Sequence, residues 1–378
     1  MTEHLSQTAR PSQGVLSDPD ITEEELEDES APDPDPTQVS YTSTDFDVEG
    51  LVRRLQRNDI IIPTFGDDYA DDSIETARFQ RQFVWTKTQM DRFIESLLLG
   101  YPIPGIFLVQ QTDRRYLVLD GQQRLRTLRA FCQGVVHKKE FSLQSVAQRF
   151  RGLTYETLPA EQRRQVDNTF IQATIVQTQP TAESLDAVYQ VFERLNSGGT
   201  QLTPHEIRIA LYAGDFVSWL TKLSESEEWR ALYGRPPLHI RDQELILRII
   251  ALGVTPGTYR RPLKKYLNDV MAAHRNLGDI DTEDIEYRFK AAARLLLTGP
   301  GQSVLRPGGS AVNAALTEAL FVGLMRRLEL SSPSPAEVTA AIPPLMQNSE
   351  MSAAIGRSTA DEESVRKRLA LATRAFAN

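Results

Sequence analysis

Tyr116-Leu117-Val118-Leu119-Asp120-Gly121-Gln122-Gln123-Arg124 reads as a strand, a tight turn and the first turn of a helix. Gly121 lets the backbone turn sharply. A helix starting at Gln122 leaves its first N–H groups unpaired, and its dipole favours an anion there. Arg124 adds a charged fork matched to phosphate oxygens. Gln122 and Gln123 can bind oxygens or orient water, and Asp120 can hold a metal ion or accept a proton. A plainer reading stands beside this one: Asp120 caps the helix and Arg124 is a surface residue. Spacing alone leaves the two open.

Upstream, Leu51, Val52 and Leu55 suggest a short helix before the apolar Ile60-Ile61-Ile62-Pro63. Met90, Phe93, Ile94, Leu97 and Leu98 share one helical face over 86–99, with Thr86 or Thr88 as cap and Gly100 as stop. Ile106–Gln110 and Tyr116–Asp120 read as strands joined by a polar turn, and a helix follows from Gln122 to Cys132, ended by Gly134. Residues 141–167 read as exposed helix. Phe170–Gln177 is the next strand, and 182–195 a helix with Leu185, Val188, Tyr189, Phe192 and Leu195 as its apolar stripe. Thr203-Pro204-His205-Glu206 has the cap, proline and third-position glutamate of a helix start. From there to Asn378 the chain reads almost wholly helical. The expected fold is α+β: a disordered tail over 1–45, a small mixed-sheet domain over 46–200 and an all-helical domain over 201–378.

The chain has 378 residues and a net charge of −9. Fourteen acids and one arginine fall in residues 1–50, which leaves residues 51–378 at +4. The first 45 residues are too polar to bury the surface that ordering requires. They read as a solubilising tail or as an electrostatic gate over a mildly basic body, a body that permits DNA binding without demonstrating it. No apolar run is long enough for a membrane span, and the acidic, polar N-terminus has no apolar h-region and so does not resemble a secretory signal. Cytoplasm is the expected compartment. The single Cys132 excludes an internal disulfide.

Three further constellations carry chemistry on paper. Gln80-Arg81 beside Trp85 can bind phosphate and stack a base, although Phe79, Phe83 and Trp85 also suit a core. Asn196-Ser197-Gly198-Gly199-Thr200 can approach a phosphate, or be no more than a helix stop. Arg241-Asp242-Gln243-Glu244 with Arg248 suggests an i,i+4 pair of Glu244 with Arg248. Tyr259-Arg260-Arg261 and Lys264-Lys265 form a basic cluster, read as a solvated face with DNA contact as the minority reading. The five histidines are scattered and none follows His274. There is no phosphate loop of the G-x-x-x-x-G-K-[ST] type and no G-x-S-x-G elbow.

Taken in order, Gln80-Arg81…Trp85, Glu95-Ser96-Leu97…Gly100, Pro102-Ile103-Pro104, Asp120-Gly121-Gln122-Gln123-Arg124-Leu125, Phe192-Glu193-Arg194-Leu195-Asn196-Ser197-Gly198-Gly199-Thr200…Leu202…Glu206 and Gln243-Glu244-Leu245…Arg248 resemble the N-terminal domain family of GmrSD-type restriction endonucleases. The resemblance spans roughly residues 50–275 and implies a ParB/sulfiredoxin-like core. It implies NTP binding and hydrolysis through the Asp-Gly-Gln-Gln-Arg motif, in restriction of modified DNA and phage defence. Many members carry an HNH nuclease domain; the histidine-free residues after 275 lack one, so a stand-alone sensor or NTPase is expected, with cutting left to a partner nuclease subunit. The family usually places Ile-x-x-Pro before the Gln-Arg pair, where this chain has Thr76-Ala77-Arg78-Phe79. The expected site uses Asp120, Gln122, Gln123 and Arg124 for catalysis. Gln80, Arg81, Gly121, Asn196, Gly198, Gly199 and Thr200 line the nucleotide, and Asp120 holds Mg2+. The expected partners are a nucleoside triphosphate and DNA, with a homo-oligomer left open. The alternatives are a regulatory module that binds DNA or nucleotide without turnover, and a ParB-like DNA nuclease.

Overall fold

The computed structural model of the chain describes residues 38–63, 85–136, 138–179, 181–195, 203–237, 240–254, 257–278, 280–356 and 359–377. The architecture is α+β. Strand β1 (Ser40–Asp47) runs into helix α1 (Val48–Gln56), whose start is capped by Asp47 accepting from Gly50 N at 2.6 Å. After β2 (Ile60–Ile61), helix α2 (Lys87–Leu98) begins with a Thr86–Gln89 capping box, and the chain turns out of it at Gly100. Strands β3 (Ile106–Gln110) and β4 (Tyr116–Asp120) form an antiparallel hairpin that leads into α3 (Gln122–Gln133). A two-stranded ribbon, β5 (Val135–Val136) and β6 (Lys139–Glu140), precedes α4 (Ala160–Asp167), β7 (Phe170–Gln177) and α5 (Ala182–Leu195).

The main sheet has the order β1-β7-β3-β4-β2. It is mixed: β1 is antiparallel to β7, β7 parallel to β3, and β2 parallel to β4. Each face is buried against a different cluster. Ile106, Leu108, Val118, Ile171, Ala173 and Ile175 pack with α1, α2 and α3. Val109, Leu117, Leu119 and Val176 pack on the opposite face with Val188, Tyr189 and Phe192 of α5. Double coverage explains why β3 and β4 read as continuous apolar runs rather than alternating ones.

The remaining helices extend the second cluster. They are α6 (Pro204–Leu211), α7 (Asp215–Glu225), α8 (Glu227–Tyr233), α9 (Arg241–Val254), α10 (Leu263–Ala273), α11 (Thr282–Thr298), α12 (Ala314–Leu328), α13 (Pro335–Gln347), α14 (Ser349–Gly356) and α15 (Glu362–Phe376). One hydrophobic cluster therefore runs from the sheet through α5 to Phe376, across the division expected at 200/201. Glu318, fully buried on α12, binds Arg248 of α9 and Arg368 of α15, each at 2.5 Å. Burial pushes its carboxyl up, but the two guanidiniums outweigh that and hold it below the usual range.

Two expectations are corrected. The tail does not run to 45, because Ser40–Asp47 is a strand paired along its whole length with β7. The stretch 141–167 is not exposed helix: Phe141, Leu143 and Val146 are buried in irregular backbone, Phe150 is buried in a 3-10 turn (Gln148–Phe150), and only Ala160–Asp167 forms an α-helix. Their uneven spacing fits an irregular segment folded over the first cluster. Among the described residues no helix is long and apolar enough to cross a membrane.

Candidate functional site

Strand β4 ends on a bulge. Phe107 pairs with Asp120 while Leu108 pairs with Val118, so Leu119 is the extra residue. Residues opposed across a ladder share a face. Phe107 packs towards the second cluster, and the bulge therefore turns Asp120 to that face, away from Val118 and the core closed by α1–α3.

Gly121 then reverses the chain at φ +95°. A Cβ there would lie 2.5 Å from Ile106 Cγ2, so only glycine fits the turn. Gly121 itself is the N-cap of α3 and makes no side-chain cap hydrogen bond. Asp120 does not cap the helix. Its Oδ2 instead accepts from Arg124 Nη2 at 2.7 Å, and Arg124 Nη1 donates to the Pro104 carbonyl at 2.8 Å. Arg124 is no free surface residue: its side chain is 12% exposed, against 44% for Asp120. A cation in the first turn of a helix has the wrong sign for the dipole. The N–H groups that open α3 and Arg124 therefore concentrate positive potential at one point, and Asp120 offsets it through its bond to Arg124.

The two glutamines differ. Gln122 opens the helix half-buried, while Gln123 Oε1 accepts from Trp85 N at 3.3 Å. Arg126, one turn further on, donates from Nη2 to the Pro63 carbonyl at 2.9 Å. Pro63 and Trp85 flank residues 64–84, so both ends of the segment bearing Gln80 and Arg81 are tied to α3. Gln80 and Arg81 themselves, like Asn196, Gly198, Gly199 and Thr200, lie outside the described residues. Trp85 is half-buried and packs edge-on against Phe93 at 5.5 Å. Helix α5, which leads into the glycine segment, packs on the β4 face to which Asp120 is turned.

The other constellations serve the helical layer. His205 is fully buried with Nε2 3.3 Å from Gln243 Oε1, and Gln243 donates to Thr221 at 2.8 Å. Arg208 links Glu244 at 3.5 Å to Asn268 at 2.9 Å, and Asn268 donates to Asp186 of α5 at 2.9 Å. Burial lowers the His205 imidazole to about 4. Glu244 is held below its usual range: burial raises it, but Arg208 leads the charges that lower it further. In the basic cluster, Arg260 pairs with Glu362, Arg261 with Asp361, Lys264 with Glu193 and Lys265 with Asp269. A cluster with its acids in place is a poor track for a phosphate backbone.

Among the described residues no group of three or more His, Cys, Asp or Glu side chains is placed to hold a metal. Mg2+ in nucleotide sites takes one or two carboxylates and completes its shell with water and phosphate oxygens. Asp120 fits that pattern as a single carboxylate, provided a polyphosphate arrives with the ion. Sequence reasoning did not find the Pro104 carbonyl, the bulge at Leu119 or the two anchors of the Gln80-Arg81 segment. The pair Pro102-Ile103-Pro104 signalled a chain break but not an acceptor for Arg124.

Residues 63–213 match the family model described as the GmrSD restriction endonuclease, N-terminal domain. Over those residues the chain is similar to that domain. No curated protein matches the chain. The matched span holds β3, β4, β7 and α2 to α6, and with them the Asp120–Arg124 turn. Strands β1 and β2, which complete the sheet at its two edges, precede it.

Proposed function

We propose that this GmrSD-type domain binds a nucleoside triphosphate at Asp120–Arg124 and hydrolyses it as part of a DNA-directed restriction or anti-phage system. The supporting observation is the convergence of the Arg124 guanidinium, an uncapped helix start and a bulge-turned carboxylate at one strand end. An incoming phosphate competes with Asp120 for Arg124 and is drawn to the N–H groups that open α3. Arg124 keeps its Pro104 contact and so presents a fixed fork. Asp120, released, would hold Mg2+, which supplies charge neutralisation at the phosphate oxygens when bound. Gln122 orients the attacking water, while Gln123 holds the Trp85 end of the neighbouring segment in place. Catalysis of this kind rests on positioning and charge stabilisation.

DNA sensing and partner docking fall to the helical layer and to a separate nuclease subunit. A second reading, a binding module without turnover, is favoured by the Asp120–Arg124 ion pair, which occupies both groups at once. Phosphate release from each of the four common triphosphates, with Mg2+ and with or without DNA, separates the two. Turnover that disappears in Arg124→Ala supports hydrolysis. Equal, background-level release in both proteins refutes it, and tight binding without release selects the binding module.

A further inference from the structure

Among the described residues, the helices on the second face of the sheet leave one end of it exposed. Val176, Val109, Leu117 and Leu119 are buried there, but Phe170 at the start of β7 is 68% exposed. Even-numbered residues of β7 share that face, because Ile171, Ala173 and Ile175 point into the opposite core. The exposed Phe170 and Gln172 and the half-buried Thr174 therefore line one strip. Thr174 pairs with Phe107, and Phe107 with Asp120, so the strip runs across the sheet towards Asp120, which is turned to the same face. An exposed aromatic ring beside a charged site offers a base a face to stack on.

The strip is also close to Arg124 by its other contact. Arg124 donates to the Pro104 carbonyl, and the backbone after Pro104 runs beside β7: a Cβ on Gly105 would lie 2.8 Å from the Gln172 carbonyl. With strands about 4.8 Å apart and about 3.3 Å of rise per residue, the Phe170 backbone lies on the order of 6 Å from Pro104. Tyr101, 59% exposed, starts the same segment three residues earlier. A single nucleotide bridges such a span.

The charges choose between a base and a polynucleotide strand. Asp45 pairs with Gln172 on the adjacent strand β1, and Asp47, whose carboxylate also caps α1, pairs with Phe170. Carboxylates repel a phosphodiester backbone but accept hydrogen bonds from ribose hydroxyls and exocyclic amines. Gln172 offers both a donor and an acceptor to a base edge.

We propose that Phe170 is the stacking platform for the nucleobase of the triphosphate whose phosphates lie at Arg124. The proposal rests on the phosphate reading of Arg124 and adds a base subsite to it. Base–aromatic stacking is sequence-tolerant, so the platform takes purines better than pyrimidines by surface area without fixing one base.

The test compares ATP with inorganic tripolyphosphate by calorimetry, each with Mg2+. Wild type binds ATP about 5- to 150-fold more tightly than tripolyphosphate, the range that stacking one base supplies. Phe170→Ala removes that advantage and leaves tripolyphosphate binding unchanged, whereas Phe170→Trp keeps it. Because Phe170 is exposed, its truncation leaves the fold intact, and the unchanged tripolyphosphate affinity verifies that in the same experiment. An ATP advantage that survives Phe170→Ala overturns the base subsite while the phosphate site stands. Equal binding of ATP and tripolyphosphate by wild type overturns it too. Failure of both ligands to bind wild type overturns the phosphate reading and the subsite with it.

Discussion

Gly121→Ala is the substitution whose cost the structure fixes most closely. At φ +95° an L-residue is strained by about 1–2 kcal/mol relative to glycine. The new Cβ would also lie 2.5 Å from Cγ2 and 3.1 Å from Cβ of Ile106, and 3.3 Å from Arg124 Nη2. Ile106 is 1% exposed and β-branched, so its χ1 has little freedom to yield, and overpacking of this kind costs about 1–3 kcal/mol. The two effects together predict a loss of about 2–5 kcal/mol. Urea unfolding followed by fluorescence measures it as a fall in midpoint at constant slope. Ile106→Ala separates the two parts. Alone it costs about 2–5 kcal/mol through the cavity, but combined with Gly121→Ala the losses are less than additive by about 1–3 kcal/mol, because the overlap is gone and only the backbone strain remains. A Gly121→Ala protein within about 0.5 kcal/mol of wild type, or a strictly additive double mutant, would refute the account of the turn.

Three further outcomes are expected. His205 has a folded value near 4, below the roughly 6.5 of the unfolded chain, so the native state holds fewer protons between those values. Stability from neutral His205 is complete above pH 6.5 and is lost as pH falls towards 4, by about 3 kcal/mol in all; His205→Gln flattens that slope in unfolding midpoints taken at pH 7.5 and 5, and an unchanged slope speaks against it. Glu318→Ala leaves Arg248 and Arg368 buried without their shared counter-charge and lowers unfolding free energy by about 3–5 kcal/mol; a loss under about 1 kcal/mol would show the triad to be inert. Asp120→Asn removes the competitor for Arg124, so Mg2+-free tripolyphosphate binds at least as tightly as to wild type while Mg2+-dependent phosphate release falls about 100-fold; calorimetry and a release assay check both, and a variant that keeps its turnover removes Asp120 from the chemistry.

Local signals were the legible ones. The capping residues at Thr86 and Thr203, the glycine stop at Gly134 and the apolar runs of β3, β4 and β7 each fix an element from a few neighbours in sequence, and the structure has them there. Strand β1 was hidden because Ser40–Asp45 is polar, and its order comes from pairing with β7, over a hundred residues away. Phe141, Leu143, Val146 and Phe150 belong to no period, yet all are buried, because tertiary packing selects them rather than a helix face. At the site, the Arg124 fork and the glycine turn were readable as chemistry. The direction of Asp120 was not, since it depends on a one-residue register shift at Leu119. Phe170 reads as one more strand aromatic; its exposure follows only from where α5 and the helices after it stop covering the sheet. The spacing of Glu244 and Arg248 suits an i,i+4 pair, while the packing joins Glu244 to Arg208 and Arg248 to Glu318 inside the helical layer.

The central claim is that Arg124 receives phosphate. Calorimetric titration of wild type and Arg124→Ala with Mg2+–ATP tests it most directly. Loss of a fork of charge-assisted hydrogen bonds is worth about 1.5–3 kcal/mol, so the account predicts saturable binding to wild type and an affinity about 10- to 150-fold lower in the variant. Equal affinities in the two proteins, or no binding to wild type, would contradict it.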